Sequence, residues 1–354
     1  MNYQYKNEFR HHLVDWFNRE KRDLPWRRTS DPYKIWVSEI MLQQTRVDTV
    51  IPYYNRFLEK YPTMQSLAYA PQEELLKMWE GLGYYSRARN LQAGVKEVVE
   101  KYNAVVPDNR HDLSKLKGIG PYTAGAILSI AYNKPEHAVD GNVMRVLSRV
   151  LHIEEDIALP KTRKVFEEAV DMLIDKDYPG DFNQAIMDLG AMICTPTSPK
   201  CLLCPVRDYC IAFQEGDTEQ LPIKSKKIKT KKVIYNIYVA VDKQGNYLIE
   251  KRPNEGLLAN MWQFPMIEMT KETTKDAFEK QYNVQIENYL NNDFMKFKHI
   301  FSHLTWEMEC NLVQVQQLNQ LPANAHFLPI GKIRELPMSV PMLKILNVLN
   351  QLIF

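Results

Sequence analysis

From Tyr33 to about Asp188 the apolar side chains recur three and four positions apart, the spacing that gathers them on one face of a helix. Prolines and an Asp-Pro pair stand where such runs begin, as in DPYKIWVSEIMLQQ (31–44) and APQEELLKMWEGLGYYSRARNLQAGVKEVVEKY (70–102). After residue 233 the period shortens to two. VIYNIYVAVD (233–242) and NYLIEKR (246–252), joined by KQGN, read as a β-hairpin, and HLTWEMECNLVQV (303–315) reads as a further strand. KETTKDAFEKQY (271–282) and PMLKILNVLNQL (341–352) return to helical spacing. Between the two regimes, KSKKIKTKK (224–232) carries six lysines and no acid. The pattern divides the chain into an all-α domain over residues 1–215, a basic linker over 216–232 and an α+β domain over 233–354, with no internal repeat.

A chain of 354 residues fits this division, since a domain averages roughly 150 residues. At 45% hydrophobic and 25% charged, the composition is that of a globular protein, and its apolar runs are too short for a membrane span. The opening MNYQYKNEFRHH has no apolar signal-peptide core, so a cytoplasmic location and no membrane partner are expected. Net charge is +2, which argues neither for nor against an anionic ligand.

Cysteines change the picture. Four of the five fall in CTPTSPKCLLCPVRDYC with the spacing C-x6-C-x2-C-x5-C, at Cys194, Cys201, Cys204 and Cys210. Without a secretion signal, such a cluster is expected to bind metal rather than to form disulfides. Spacing alone suits zinc and an iron–sulfur cluster about equally, although zinc sites usually pair two close knuckles and only one is present. Cys310, alone on a predicted strand, reads as a small core side chain.

LKGIGPYTAGA (116–126) is a tight corner between two predicted helices. Gly118 and Gly120 would let amides at the start of the second helix point outward toward a DNA phosphate, although Gly-x-Gly corners also join many helix pairs that never meet nucleic acid. Two carboxylates stand out. Glu39 lies among Trp36, Ile40, Met41 and Leu42, where lost hydration should raise its pKa, and Asp140 in VDGNVMRV precedes a helix whose dipole should keep it ionised. A proton donor beside an anion is the pair needed to protonate a poor leaving group and stabilise an oxocarbenium-like sugar. In isolation, the two residues read as a solvated helix position and a helix cap.

The cysteine spacing, FNQAIMDLGAMIC (182–194), LKGIGPYTAGAI and AVDGNVMRVLSRV together resemble the helix-hairpin-helix DNA glycosylases that carry a four-iron, four-sulfur (4Fe-4S) cluster. LPWR, SEIMLQQTRV and WEGLGYYSRARNL narrow the resemblance to the MutY-type adenine glycosylases, and residues after the linker are similar to their Nudix, or MutT-like, domain. The resemblance covers nearly the whole chain. It implies an all-α glycosylase domain with the cluster loop at 194–210, a lesion-reading second domain and a monomer. It also implies duplex DNA with adenine opposite 8-oxoguanine or guanine as partner, and a bacterial, nucleoid-associated setting.

Residue roles follow from the same resemblance. Glu39 would protonate adenine, Asp140 would meet the sugar cation, and Asn142 would position Asp140 or its water. Arg27 and Gln184 would surround the flipped base. Gln44 would fill the space it leaves, and Tyr84 would wedge into the stack. Tyr85 and the stem of Arg87 suit packing and backbone contacts just as well as DNA, while Lys200 and Arg207 are candidate cations toward DNA. Phe301, Ser302 and His303, in HIFSHLTW, would read 8-oxoguanine, although unaided they read as a strand end with a buried aromatic. Tyr122 stands where strand-cutting relatives have a lysine, which implies base removal without strand cleavage; its hydroxyl suits a hydrogen bond to Asp140 or the sugar, and its ring equally suits half-buried packing against the helix. The second domain lacks the Arg-Glu-x-x-Glu-Glu ladder that holds magnesium in pyrophosphatases, which argues against nucleotide hydrolysis. Two other readings remain at this point, a pyrimidine-specific glycosylase of the same architecture and a non-catalytic, redox-sensing DNA-binding module.

Overall fold

A computed structural model describes residues 3–225, 231–269 and 273–353. Part of the basic linker, residues 226–230, lies outside the described residues. In chain order the first twelve helices are α1 (Lys6–Glu20), α2 (Pro32–Leu42), α3 (Val47–Lys60), α4 (Met64–Ala68), α5 (Gln72–Met78), α6 (Ser86–Lys101), α7 (Arg110–Leu113), α8 (Pro121–Tyr132), α9 (Gly141–Val150), α10 (Arg163–Leu173), α11 (Pro179–Met192) and α12 (Ile211–Glu215). The chain forms two compact units. One joins Met1–Tyr69 to Asn90–Lys226, and the other joins Ala70–Arg89 to Lys227–Phe354. The short helix α5 and the first residues of α6 thus cluster with the second unit, although they lie within the stretch 1–215.

In the first unit α11 packs against α1, α8 and α9, and α2 packs on α8. Phe9 and Leu13 of α1, Val146 of α9, Phe166 of α10 and Ile186 of α11 share one core. Helix α2 is buried on all sides, from Ile35 through Met41, so its single acid, Glu39, has almost no access to water. The helix starts on Asp31, whose side chain accepts the Tyr33 amide at 2.9 Å.

Two glycines of the hairpin have separate roles. Gly118 takes a left-handed backbone, φ +82°, that a side chain would strain, and a Cβ there would also meet Asn90 at 2.8 Å. Gly120 is the extended N-cap of α8, and the space beside it is open. One turn into the helix, Gly125 lets the 133–139 segment pass close by, since a Cβ would lie 1.8 Å from the His137 carbonyl oxygen. That segment delivers Asp140.

In the second unit the strands are β1 (Lys231–Val241), β2 (Tyr247–Lys251), β3 (Trp262–Gln263), β4 (Met266–Glu268), β5 (Val284–Ile300), β6 (Leu304–Gln317) and β7 (Ala325–Leu328). They form one mixed sheet in the order β3-β2-β1-β6-β5, with β4 on β1 and β7 on β2. Helices α13 (Thr274–Tyr282), α14 (Ile330–Ile333) and α15 (Val340–Ile353) complete the unit. The expected hairpin pairs antiparallel at Val241 and Tyr247, but the long partner of β1 is β6, parallel from Lys231–Leu304 to Val241–Gln314. Both faces of β1 are covered. Ile237 and Val239 join a core with Met342 and Ile345 of α15, while Tyr238 and Ala240 join another with Phe278 and Tyr282 of α13. Cys310 is fully buried in the first of these cores, as a small hydrophobe would be.

Gly125→Ala should lower the stability of the protein by about 1–3 kcal/mol, because backbone cannot yield as a side chain does. Gly120→Ala, with open space and an ordinary φ, should change it by less than about 0.5 kcal/mol. Thermal unfolding of the two variants checks the contrast, and equal melting temperatures would contradict it.

Candidate active site

The N-terminal ends of α8 and α9, the C-terminal end of α2, the turn Pro25–Arg27 and one face of α11 enclose an open cavity of about 790 Å³. Glu39, Tyr122, Asp140, Asn142, Arg27 and Gln184 all line it, as do Gln44, Gly118 and Gly120. Residues 27 to 184 in sequence thus meet around one space.

Glu39 is 6% exposed, and burial pushes its carboxyl up to about 7, with the Asp140 charge adding to the rise and the Tyr122 hydroxyl and Arg27 opposing it. The Tyr122 hydroxyl donates to Glu39 Oε2 at 2.8 Å, a partner other than the Asp140 or sugar that the sequence suggested. The reason is geometric: α8 packs directly on α2, so a side chain in the first turn of α8 faces that helix. Asp140 is the N-cap of α9, accepting the Val143 amide at 2.8 Å and the Asn142 side-chain amide at 3.1 Å. Burial raises its pKa while these hydrogen bonds and Arg145 oppose the rise, so the helix terminus acts against desolvation rather than alone.

Asn142 in turn accepts from Arg145 Nη2 at 2.9 Å. Arg145 donates Nε to the Cys194 carbonyl at 2.8 Å, and one turn further Arg149 donates Nη1 to Cys194 Sγ at 3.3 Å and to the Thr195 carbonyl at 2.8 Å. One helix therefore carries a hydrogen-bonded path from the Asp140 carboxylate to the cysteine loop. Sequence reading did not single out Arg145, Arg149, Arg22 or Asp188. The available signal was a charged residue at an inward helical position, as for Asp188 in the quoted FNQAIMDLGAMIC.

The four cysteines are free thiols around a common cavity that also includes Arg149. Burial, with repulsion among the thiolates, pushes Cys204 up to about 12 and Cys210 up to about 11, so only a bound cation would hold this set as thiolates. Arg207 pairs with its neighbour Asp208 at 2.9 Å, and Lys200 is exposed.

Phe301, Ser302 and His303 are the turn between β5 and β6. The Phe301 ring meets His299 edge-on at 4.6 Å and Trp306 at 4.8 Å. Ser302 Oγ lies 2.6 Å from the hydroxyl of Tyr84, a residue of the same compact unit, and both line a cavity of about 310 Å³ with Leu257 and Arg89. Tyr84 is 48% exposed at φ +47°, and Gln44 is exposed at φ +58°; non-glycine residues held in this region cluster at functional sites. Tyr85 is buried, and Arg87 donates to the Leu82 and Gly83 carbonyls, so these two serve packing.

Residues 37–172 match the HhH-GPD superfamily of base excision DNA repair proteins, 194–210 the iron-sulfur binding domain of endonuclease III, and 236–348 the NUDIX domain. Among solved structures the chain is similar to a thermostable thymine-DNA glycosylase, with 31% identity and a TM-score of 0.55 over 59% of this chain and 97% of that one. It is also similar to endonuclease III trapped as a covalent intermediate with DNA, with 26% identity and a TM-score of 0.53 over 61% and 99%. The fold is that of a DNA glycosylase of the helix-hairpin-helix class, an enzyme that binds DNA and hydrolyses an N-glycosidic bond. Its cofactor is an iron–sulfur cluster of the 4Fe-4S kind, which the four cysteines would hold.

Relatives narrow the class. An adenine DNA glycosylase of Schizosaccharomyces pombe is 35% identical over 84% of this chain and 79% of its own length, and one of Buchnera aphidicola is 36% identical over 83% and 84%. The human enzyme of that name is 39% identical over 73% of this chain and 57% of its own length. The chain belongs to the adenine DNA glycosylase family. Among the described residues no helix is long and apolar enough to cross a membrane.

Protein purified from iron-replete cells should contain iron and acid-labile sulfide in equal amounts, and Cys204→Ser should lower both. Stoichiometric zinc in their place would contradict the assignment. Glu39 also makes a prediction for stability. Its folded pKa, about 7, lies above the ordinary 4.5, so its contribution is fully present below pH 4.5 and lost as pH rises through 7. Glu39→Gln should therefore unfold at higher temperature than wild type at pH 8, by the equivalent of about 1–3 kcal/mol, with the difference shrinking toward pH 5.

Proposed function

We propose that this enzyme flips adenine out of duplex DNA where it lies opposite 8-oxoguanine or guanine and hydrolyses its glycosidic bond, leaving an abasic site in an uncut strand. The observation that carries the reading is the half-buried Glu39–Tyr122 hydrogen bond, which shares one cavity with Asp140. Undamaged adenine is a poor leaving group, so its departure needs a proton at an imidazole-ring nitrogen. Glu39, held near neutrality, is the donor, and Tyr122 fixes its direction. As the bond to the base lengthens, positive charge grows on the sugar; Asp140, oriented by Asn142 and the first amides of α9, stabilises it until water adds. Arg27 and Gln184, joined at 3.2 Å, surround the base. Gln44 fills the vacated place, while the first amides of α8 hold backbone phosphate. When bound, the iron–sulfur cluster supplies the fixed charge and crosslink that shape the 194–210 loop.

No lysine stands between Gly118 and Ala131, and the phenol of Tyr122 forms no imine, so the reading is monofunctional. Lesion choice is assigned to the second unit. Phe301 supplies a ring fixed by two neighbours, and Ser302 a hydroxyl able to accept from the extra ring N–H of 8-oxoguanine. His303, exposed beside them, completes the set. The division at residues 215 and 233 with a basic linker, action as a monomer and a place on the bacterial nucleoid belong to the same proposal.

The decisive experiment incubates the holoenzyme with duplexes carrying adenine opposite 8-oxoguanine, adenine opposite guanine, or thymine opposite guanine. Free adenine should appear from the first two, the strand should stay intact until alkali is added, and borohydride should trap no adduct. Glu39→Gln and Asp140→Asn should each slow release about 1,000-fold or more, while binding stays near normal. Phe301→Ala with Ser302→Ala should lower the preference for 8-oxoguanine. Thymine release, or efficient borohydride trapping, would refute the reading.

A further inference from the structure

The face of α11 that carries Gln184 also carries a carboxylate that the chemistry above leaves unused. Asp188 lies one helical turn beyond Gln184 on the cavity wall, with its side chain only 2% exposed. Two guanidinium groups from the segment before α2 converge on it. Arg22 Nη2 bonds Asp188 Oδ1, and Arg27 Nη1 lies 2.8 Å from Oδ2, close enough for charge pairing but without the alignment of a hydrogen bond. Arg27 continues the chain of contacts, donating Nε to Gln184 Oε1 at 3.2 Å and Nη1 to the Arg22 carbonyl at 3.2 Å, with its guanidinium 5.0 Å from the Phe17 ring centre.

A carboxylate this buried is tolerated only when opposite charge meets it, and the arrangement works in both directions. Asp188 stands on a helix packed against three others, so it is the fixed member of the set. An arginine is long and has many rotamers; a charge partner on a rigid element selects one of them. With two cations for one anion, this cluster keeps an excess of positive charge on the side of Arg27 that meets Gln184.

We infer that Asp188 is a positioning residue for base release, its carboxylate fixing the Arg27 guanidinium and, through it, the Gln184 amide against the flipped base. This inference rests on the base-release reading above. The competing account is an ion pair that merely holds α11 to the segment before α2.

Single-turnover release of adenine from a duplex with adenine opposite guanine separates the two accounts. It is measured for wild type, Asp188→Asn, Arg27→Gln and the double variant, alongside binding of a duplex whose adenine nucleotide resists cleavage. Asp188→Asn should slow release about ten-fold and change binding by less than about three-fold. In the Arg27→Gln background the same substitution should cost less than about two-fold, because the group it acts through is gone. Release within two-fold of wild type by Asp188→Asn, or a full ten-fold loss repeated in the double variant, would overturn the inference, with both thresholds on the order of what such cycles resolve. If Asp188→Asn does not fold, Asp188→Glu decides. It keeps the charge but pushes Arg27 outward by a methylene, and should slow release about three-fold; a wild-type rate would overturn the inference. A wild-type protein that releases no adenine would instead sink the proposed function and leave the positioning question separate.

Discussion

Keeping one carboxyl group out of water is the constraint on which the rest of the first unit depends. A protein can hold Glu39 near neutrality only by burying the helix that carries it, and α2 is accordingly apolar on every side and packed beneath α8. Burial alone would leave the group with no fixed direction. The Tyr122 hydroxyl supplies one, at the modest cost of pulling the pKa partly back. The hairpin corner before Tyr122 sets the start of α8 so that the phenol turns inward, onto Glu39.

Asp140 answers a related problem by other means. It too is buried, but it caps a helix, and amide donors partly offset its lost hydration. The two carboxylates are pushed in the same direction by burial and differ in which groups oppose it, a phenol and Arg27 at Glu39, amide donors and Arg145 at Asp140. Gly125 makes the arrangement possible, since a side chain there would block the segment that brings Asp140 to the cavity. Stability is spent at Glu39 for this purpose, and the large shared core of α1, α9, α10 and α11 stands against that cost.

Helix α9 links chemistry to cofactor. Asp140 caps it, and Arg145 and Arg149 on successive turns reach the chain around Cys194. A loop whose thiols are pushed up by burial cannot hold its own shape as thiolates without a cation, and two buried arginines beside it supply part of that charge. Whatever shapes the loop is thereby transmitted to the end of the helix that Asp140 caps.

Local chemistry was legible in the sequence. The cysteine spacing, the Gly118 corner, the apolar surroundings of Glu39 and the capping place of Asp140 are properties of residues within a few positions of each other, and helical periodicity or backbone sterics dictates them. The second unit was legible where a strand is buried on alternating faces, as in β6, and not where it is exposed. Only Val284 and Ile286 of β5 are buried, and bulges between residues 286 and 295 break its alternation, so nothing in its pattern marks a strand of 17 residues. Tertiary structure alone decided what crosses long stretches of chain. It chose β6 rather than β2 as the long partner of β1, Glu39 rather than Asp140 as acceptor for Tyr122, the second unit as the place of residues 70–89, and Asp188 as counter-ion to Arg22 and Arg27. Each depends on which faces two elements present when packed, and periodicity gives a face without naming its partner.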